Sequence, residues 1–223
     1  MAVRVALIDS GCDVPGLAPV AACRFRVRHG SIEVGVPGPD PTGHGTRIAL
    51  ILTGGRAPIE LLVAQVFESA APAAPAAVAA AVDWCVAQGA RLLHLSLGLK
   101  HDRPVLRAAV ERACTAGCVV VAATPARGGA VYPADYGGVI GGTGDARCAP
   151  GEISALGHDT FGGCVQGATR GASVGAAWVS RALLELGAGT GGRERALLTL
   201  AGAARYHGRE RRAGHHCPEG QRQ

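Results

Sequence analysis

Five short runs of the chain are apolar at nearly every position: "VRVALID" (3–9), "ELLVAQV" (60–66), "RLLHLSL" (91–97), "CVVVAAT" (118–124) and "GVIGG" (138–142). A strand buried on both faces reads this way, because neither side of its pleat meets water. Segments with helical spacing lie at 44–54, 75–88, 103–116, 173–187 and 193–203. The third reads "RPVLRAAVERACTA", with a proline in its first turn, where no N–H is needed. Strand alternating with helix predicts an α/β fold. It should be a three-layer, mostly parallel twisted sheet with helices on both faces and right-handed crossovers. "SAAPAAPAA" (69–77) has the composition of a linker, yet it joins a strand directly to a helix, so one domain is expected over 1–204. Residues 205–223 read as a basic, flexible tail.

Composition supports a packed domain: 223 residues, 48% hydrophobic and 17% charged. No apolar run reaches the roughly 18 residues of a membrane span. "MAVRVALIDSG" lacks the apolar segment and cleavage site of a signal peptide, which predicts a cytoplasmic protein. The net charge of +5 owes much to "RYHGRERRAGHH" near the end. No aromatic-interleaved basic patch or helix-turn-helix pattern accompanies it, so neither nucleic acid nor membrane is expected as a partner. The eight cysteines are scattered without a C-x-x-C pair, as free thiols in a reducing compartment would be. "HHC" (215–217) reads as an adventitious metal site, and no cofactor or structural metal is expected.

Three residues carry candidate chemistry. "ALIDSG" puts Asp9 at the C-terminal end of the first strand, where open α/β sheets hold functional groups. "DPTGHGTRIALIL" sets His44 between two glycines at the head of a helix. "RGASVGAAWVSRALLEL" places Ser173 among small residues at the start of a long helix, at the positive end of its dipole. A serine hydroxyl becomes nucleophilic when an imidazole takes its proton, and a carboxylate fixes that imidazole's tautomer. Alone, each signal is weak, since a helix-starting serine is commonly an N-cap. Together they make chance a poor explanation.

Taken with these motifs, the chain from about Val3 to Leu186 resembles the subtilisin-like serine proteases. "LIDSGCD", "GHGTRIA" and "GASVGAAWVSRALL" are similar to that family's aspartate, histidine and serine motifs, in the family's chain order. The resemblance implies an Asp9–His44–Ser173 triad acting through an acyl-enzyme, with the glycines beside His44 admitting substrate and serine. It assigns "LSLG" (Ser96, Leu97, Gly98) to the strand lining the primary specificity pocket. "VVVAA" (with Ala122 and Ala123) and "VYPADYGGVIGGTG" (with Val131) would complete that pocket. "AAPAA" (70–74), containing Ala71, Pro72 and Ala73, falls where extended substrate adds to the enzyme, although Pro72 has no N–H to donate.

The pattern departs from the family at the oxyanion site. Where A-A-G-N is usual this chain has "AATPAR", putting Ala126 or a near neighbour in place of the asparagine. Losing that donor costs about 2.7–4 kcal/mol of transition-state stabilisation, leaving the Ser173 N–H, with Thr124 or Arg127 as substitutes if the loop bends differently. Val131 stands where glycine is common and should favour small or medium side chains. The chain begins almost at the first strand, which implies no propeptide. No calcium loop stands out. These features describe a dedicated intracellular endopeptidase acting on a peptide or protein substrate presented by a maturation partner. The competing expectation is a pseudoprotease serving as a peptide-binding chaperone or adaptor.

Overall fold

A computed structural model describes residues 2–69, 71–165 and 171–210. Its strands are β1 (Val3–Asp9), β2 (Ala21–Arg28), β3 (Ser31–Gly35), β4 (Ile59–Gln65), β5 (Leu92–Leu95), β6 (Val119–Ala123), β7 (Val139–Gly144), β8 (Ile153–Ala155), β9 (Thr160–Gly163) and β10 (Tyr206–His207). The helices are α1 (His44–Thr53), α2 (Pro75–Ala87), α3 (Pro104–Thr115), α4 (Ala172–Glu185) and α5 (Gly192–Ala203). Among the described residues the strands form one sheet in the order β10-β8-β9-β7-β6-β5-β1-β4-β2-β3. Pairing is parallel except in the β2–β3 and β8–β9 pairs. The five apolar runs form the adjacent strands β7, β6, β5, β1 and β4 at the centre of that order.

Alternation along the buried strands sorts the core into two layers. Ala6, Ile8, Leu93, Leu95 and Val120 face α2 and α3. Val5, Leu7, Leu92, Val119 and Val121 face α1, α4 and α5. This is the three-layer α/β arrangement that the periodicity predicts. No helix among the described residues is long and apolar enough to cross a membrane.

The sheet is wider than the apolar runs suggest. In β2, Arg24, Arg26 and Arg28 alternate with Cys23, Phe25 and Val27, the signature of a strand wet on one face. β8 and β9 are three and four residues long, and β9 carries two glycines, so neither presents an apolar run. The sheet also passes the domain end expected at 204. Arg205 N–H donates to Ile153 O, Tyr206 and His207 pair with β8, and the Arg147 guanidinium lies over the Tyr206 ring. Those contacts hold 205–208 against the domain; the remainder of the tail, 211–223 with "HHC", lies outside the described residues.

α4 is seated on the sheet at backbone distance. A Cβ at Gly175 would stand 2.0 Å from Thr143 O, and one at Gly142 would stand 2.5 Å from Ala176 Cα. Glycine at both places lets the helix lie directly on β7, which sets the height of Ser173 above the sheet. Gly175→Ala should therefore destabilise the fold by about 1–3 kcal/mol through overpacking. Gly202→Ala, in α5 with nothing beyond its chain neighbours and its own helix backbone within 4 Å of the added carbon, should stabilise it by about 0.5–1 kcal/mol. Urea unfolding of both variants checks the pair; equal and small effects would contradict the tight seat of α4.

Candidate active site

The glycines flanking His44 have a structural task. Gly43 takes φ 67°, which turns the chain into α1 in a region that favours glycine. A Cβ at Gly45 would stand 2.2 Å from Gly11 O and 3.2 Å from Asp9 Cβ. The head of α1 thus rests on the turn following β1. Gly45 thus admits the helix to the Asp9 turn, whereas a Cβ at Gly43 would meet nothing within 4 Å, leaving open space beside His44.

That docking joins Asp9 to His44. Asp9 is 1% exposed, and His44 Nδ1 lies 2.8 and 3.0 Å from its two carboxylate oxygens. Ser10 supports the same carboxylate, its N–H donating to Asp9 Oδ1 at 2.6 Å. The Ser10 hydroxyl in turn accepts from Gly45 N–H and Thr42 Oγ1, both at 2.9 Å. With Asp9 ionised, Nδ1 carries the proton and donates it to the carboxylate, leaving the Nε2 lone pair available. The Asp9 bond raises the His44 pKa above its ordinary 6.5, against the opposing pull of burial.

Two residues that the motifs do not single out hold this corner. The Asp40 carboxylate accepts from Thr46 N–H at 2.8 Å, Thr46 Oγ1 at 2.7 Å and Gly43 N–H at 2.9 Å, capping α1 from a distance. Burial would raise its pKa, but the bonds from Thr46, Ser10 and Thr42 more than offset that and hold it at about 2. Gln65, 3% exposed at the end of β4, donates to Ser10 O at 2.8 Å and accepts from Gly38 N–H at 2.8 Å. It ties the loop before α1 to the Asp9 turn.

Ser173 is the second residue of α4, so its N–H is one of the orphan donors of a helix start. The turn into that helix passes through Gly171 at φ 130°, a conformation hard for any side chain. The Ser173 hydroxyl donates to Ser96 O at 3.4 Å, and Ser96 lines one cavity with Asp9, Ser10, Thr42, His44, Phe67 and Ser69. Asp9 and His44 are therefore bonded directly, whereas Ser173 is linked to a residue of that cavity by its hydrogen bond to Ser96 O. Among the described residues no hydrogen bond joins Ser173 to His44.

Ala126 is exposed and borders a second cavity with Gly171 and Ala172, beside the start of α4. Its methyl group offers no hydrogen bond there. The Thr124 methyl is turned toward Gly141, and Arg127 is exposed, lining a cleft with Asp145 and Glu210.

The expected specificity residues divide into groups. Leu99 and Tyr132 exchange backbone hydrogen bonds of 2.7 and 2.9 Å, which brings Val131 against Gly98, its Cβ 3.4 Å from where a Cβ would stand. Gly98 and Val131 thus meet, while Ser96 lines the cavity of Asp9 and His44. The side chains of Leu97, Ala122 and Ala123 are buried in the core, each 7% exposed or less, and Ala73, equally buried, also borders the cleft of Ala71 and Pro72. Ala71 and Pro72 border a separate cleft with Arg26 and Glu68, and Phe67 and Ser69 line both cavities. Ala70 lies outside the described residues.

No protein-family model matches the chain. It is 30% identical over 149 residues, 61% of its length, to a thermostable alkaline protease of Halalkalibacterium halodurans. It is 32% identical over 116 residues, 45% of its length, to subtilisin DY of Bacillus licheniformis. The chain spans 40% and 42% of those two proteins. Among solved structures, the prenylagaramide maturation protease PagA superposes with a TM-score of 0.57 at 20% identity, over 83% of this chain and 75% of that one. The protease domain of PatA, solved as a serine-to-alanine mutant, superposes with a TM-score of 0.56 at 19% identity, over 82% and 78%. The fold is therefore the subtilisin-like α/β fold.

Asp40 generates a pH prediction. A carboxylate held at about 2 when folded, against 3.8 otherwise, stabilises the fold fully above 3.8 and stops doing so as pH falls through 2. Asp40→Asn should cost about 1–2 kcal/mol at pH 7, the upper range for a lost cap, with the gap to wild type closing below 3.8. Urea unfolding at neutral pH and again in acid, between those two values, measures it. A gap that persists unchanged in acid would contradict the ionic cap.

Proposed function

We propose that this protein is a serine endopeptidase that cleaves a peptide bond through an acyl-enzyme, with Asp9, His44 and Ser173 as its triad. The observation that carries the reading is the 2.8 Å Asp9–His44 contact in a cavity whose Ser96 wall also receives the Ser173 hydroxyl. Catalytic hydrogen bonds are often long before substrate binds. Turned away from Ser96 O and toward His44, the Ser173 hydroxyl would hand its proton to His44 Nε2. The nucleophile would then add to the scissile carbonyl, and the orphan Ser173 N–H would face the oxyanion. His44, now charged and steadied by Asp9, would return the proton to the leaving amine.

The substrate we assign is a leader-bearing precursor held by a partner in the cytoplasm. Four observations support this: the resemblance to named maturation proteases, the free thiols at Cys23, Cys85 and Cys118, the net charge of +5, and the missing side-chain donor at Ala126. Presentation by a partner replaces orientation energy that a weak oxyanion site does not supply. The precursor to test first is the cross-linked small subunit of a quinohemoprotein amine dehydrogenase. A second reading, a pseudoprotease that binds peptide as a chaperone or adaptor, is favoured by Ala126 alone.

Cleavage of the partner-held precursor, followed by mass spectrometry, separates the two. Wild type should release the leader, and Ser173→Ala should fold and release none. Retained cleavage in Ser173→Ala would remove that residue as nucleophile. The acid limb of kcat/KM should have its midpoint above 6.5, because His44 must lose its proton to act as base. A midpoint below that value would contradict the Asp9–His44 pairing. Ala126→Asn should raise turnover on a small chromogenic peptide by less than roughly 10²–10³-fold. No gain in a folded variant would show that the loop does not aim an amide at the oxyanion.

A further inference from the structure

Below the candidate site a second histidine is fully enclosed. His94, on β5, is 0% exposed, as is Ser180 on α4, and Ser96 is 7% exposed. His94 Nδ1 lies 2.9 Å from Ser180 Oγ, and Nε2 lies 2.8 Å from Ser96 Oγ. β5 explains the direction of the ring: Leu93 and Leu95 enter the layer under α2 and α3, so His94 between them faces α4. Burial pushes its pKa down to about 4, so the ring is neutral at working pH, donating through one nitrogen and accepting through the other.

The two serines are not incidental neighbours. Ser180 lies two turns beyond Ser173 along the same face of α4. Ser96 provides the carbonyl that receives the Ser173 hydroxyl, and it lines the cavity of Asp9 and His44. The imidazole therefore spans from the helix carrying the nucleophile to the peptide on which the nucleophile rests. A leucine would fill this space equally well, but it would leave two buried hydroxyls without their ring partner.

We infer that His94 is a positioning residue, a neutral bolt between Ser180 and Ser96 that fixes the Ser96 carbonyl and through it the Ser173 hydroxyl. It touches neither substrate nor reacting atoms. The inference rests on reading Ser173 as the nucleophile.

The two ring nitrogens can be tested separately. Asparagine places its polar atoms near Nδ1 and keeps Ser180; glutamine reaches the Nε2 position and keeps Ser96. His94→Asn and His94→Gln should lose comparable thermal stability, because each keeps one bond of two. Their chemistry should differ. The acylation rate, read as the p-nitrophenol burst from a p-nitrophenyl ester, should stay near wild type in His94→Gln. It should fall roughly 10- to 100-fold in His94→Asn, the scale on which a misplacement of about 1 Å slows an oriented reaction. Ser96→Ala should show the same slow burst, and it decides the matter if neither His94 variant folds. Folded His94→Asn and Ser96→Ala that acylate at the wild-type rate would overturn the inference and leave the nucleophile in place. Wild type that releases p-nitrophenol no faster than folded Ser173→Ala would overturn both.

Discussion

Two helices reach the carboxyl ends of the central strands only because Gly45 and Gly175 have no side chain. At Gly45 the space for a Cβ is occupied by Gly11 O, and at Gly175 by Thr143 O. α1 delivers His44 to Asp9, and α4 delivers Ser173 to Ser96. One methyl group at either contact would lift its helix and move the side chain at its head. Interiors are close-packed, so a shift at the backbone is passed on and not absorbed locally.

Once the helices are seated, a polar lattice holds them. Asp9 is buried yet satisfied, with His44 and Ser10 as its partners. Asp40 neutralises the head of α1 with its charge, and Gln65 pins the approaching loop. Leaving Asp9 or Gln65, both buried, unpaired would cost more than the bond itself contributes, so the corner resists partial disassembly. The contrast with Ala126 is informative. The chain keeps a dense network for the base and its carboxylate but sets only a methyl group at Ala126, in the loop beside α4.

Much of this was readable from local pattern. Val3–Asp9, Val119–Ala123 and the other doubly buried strands are continuous apolar runs, and Asp9 and His44 sit in short distinctive contexts. β2 also carries a signal, Arg24, Arg26 and Arg28 alternating with apolar residues, but it is not a continuous apolar run because one face of the strand is wet. The supporting residues had none. Gln65 meets Ser10 across 55 residues of chain, and His94 meets Ser180 across 86. In sequence His94 is one polar letter in an apolar strand, and only the packing of α4 over β5 gives it partners. Leu97, Ala122 and Ala123 show the opposite limit: their motif marks them as pocket residues but does not tell that their side chains are buried.

The central claim is that Ser173, His44 and Asp9 act as one chemical unit. It is tested most directly by treating the protein with a fluorophosphonate and mapping the adduct by peptide mass spectrometry. A nucleophile activated by His44 should give one adduct, on Ser173, absent from His44→Ala and strongly slowed in Asp9→Asn. An unlabelled wild-type protein, or a Ser173 adduct that forms equally fast without His44, would contradict the account.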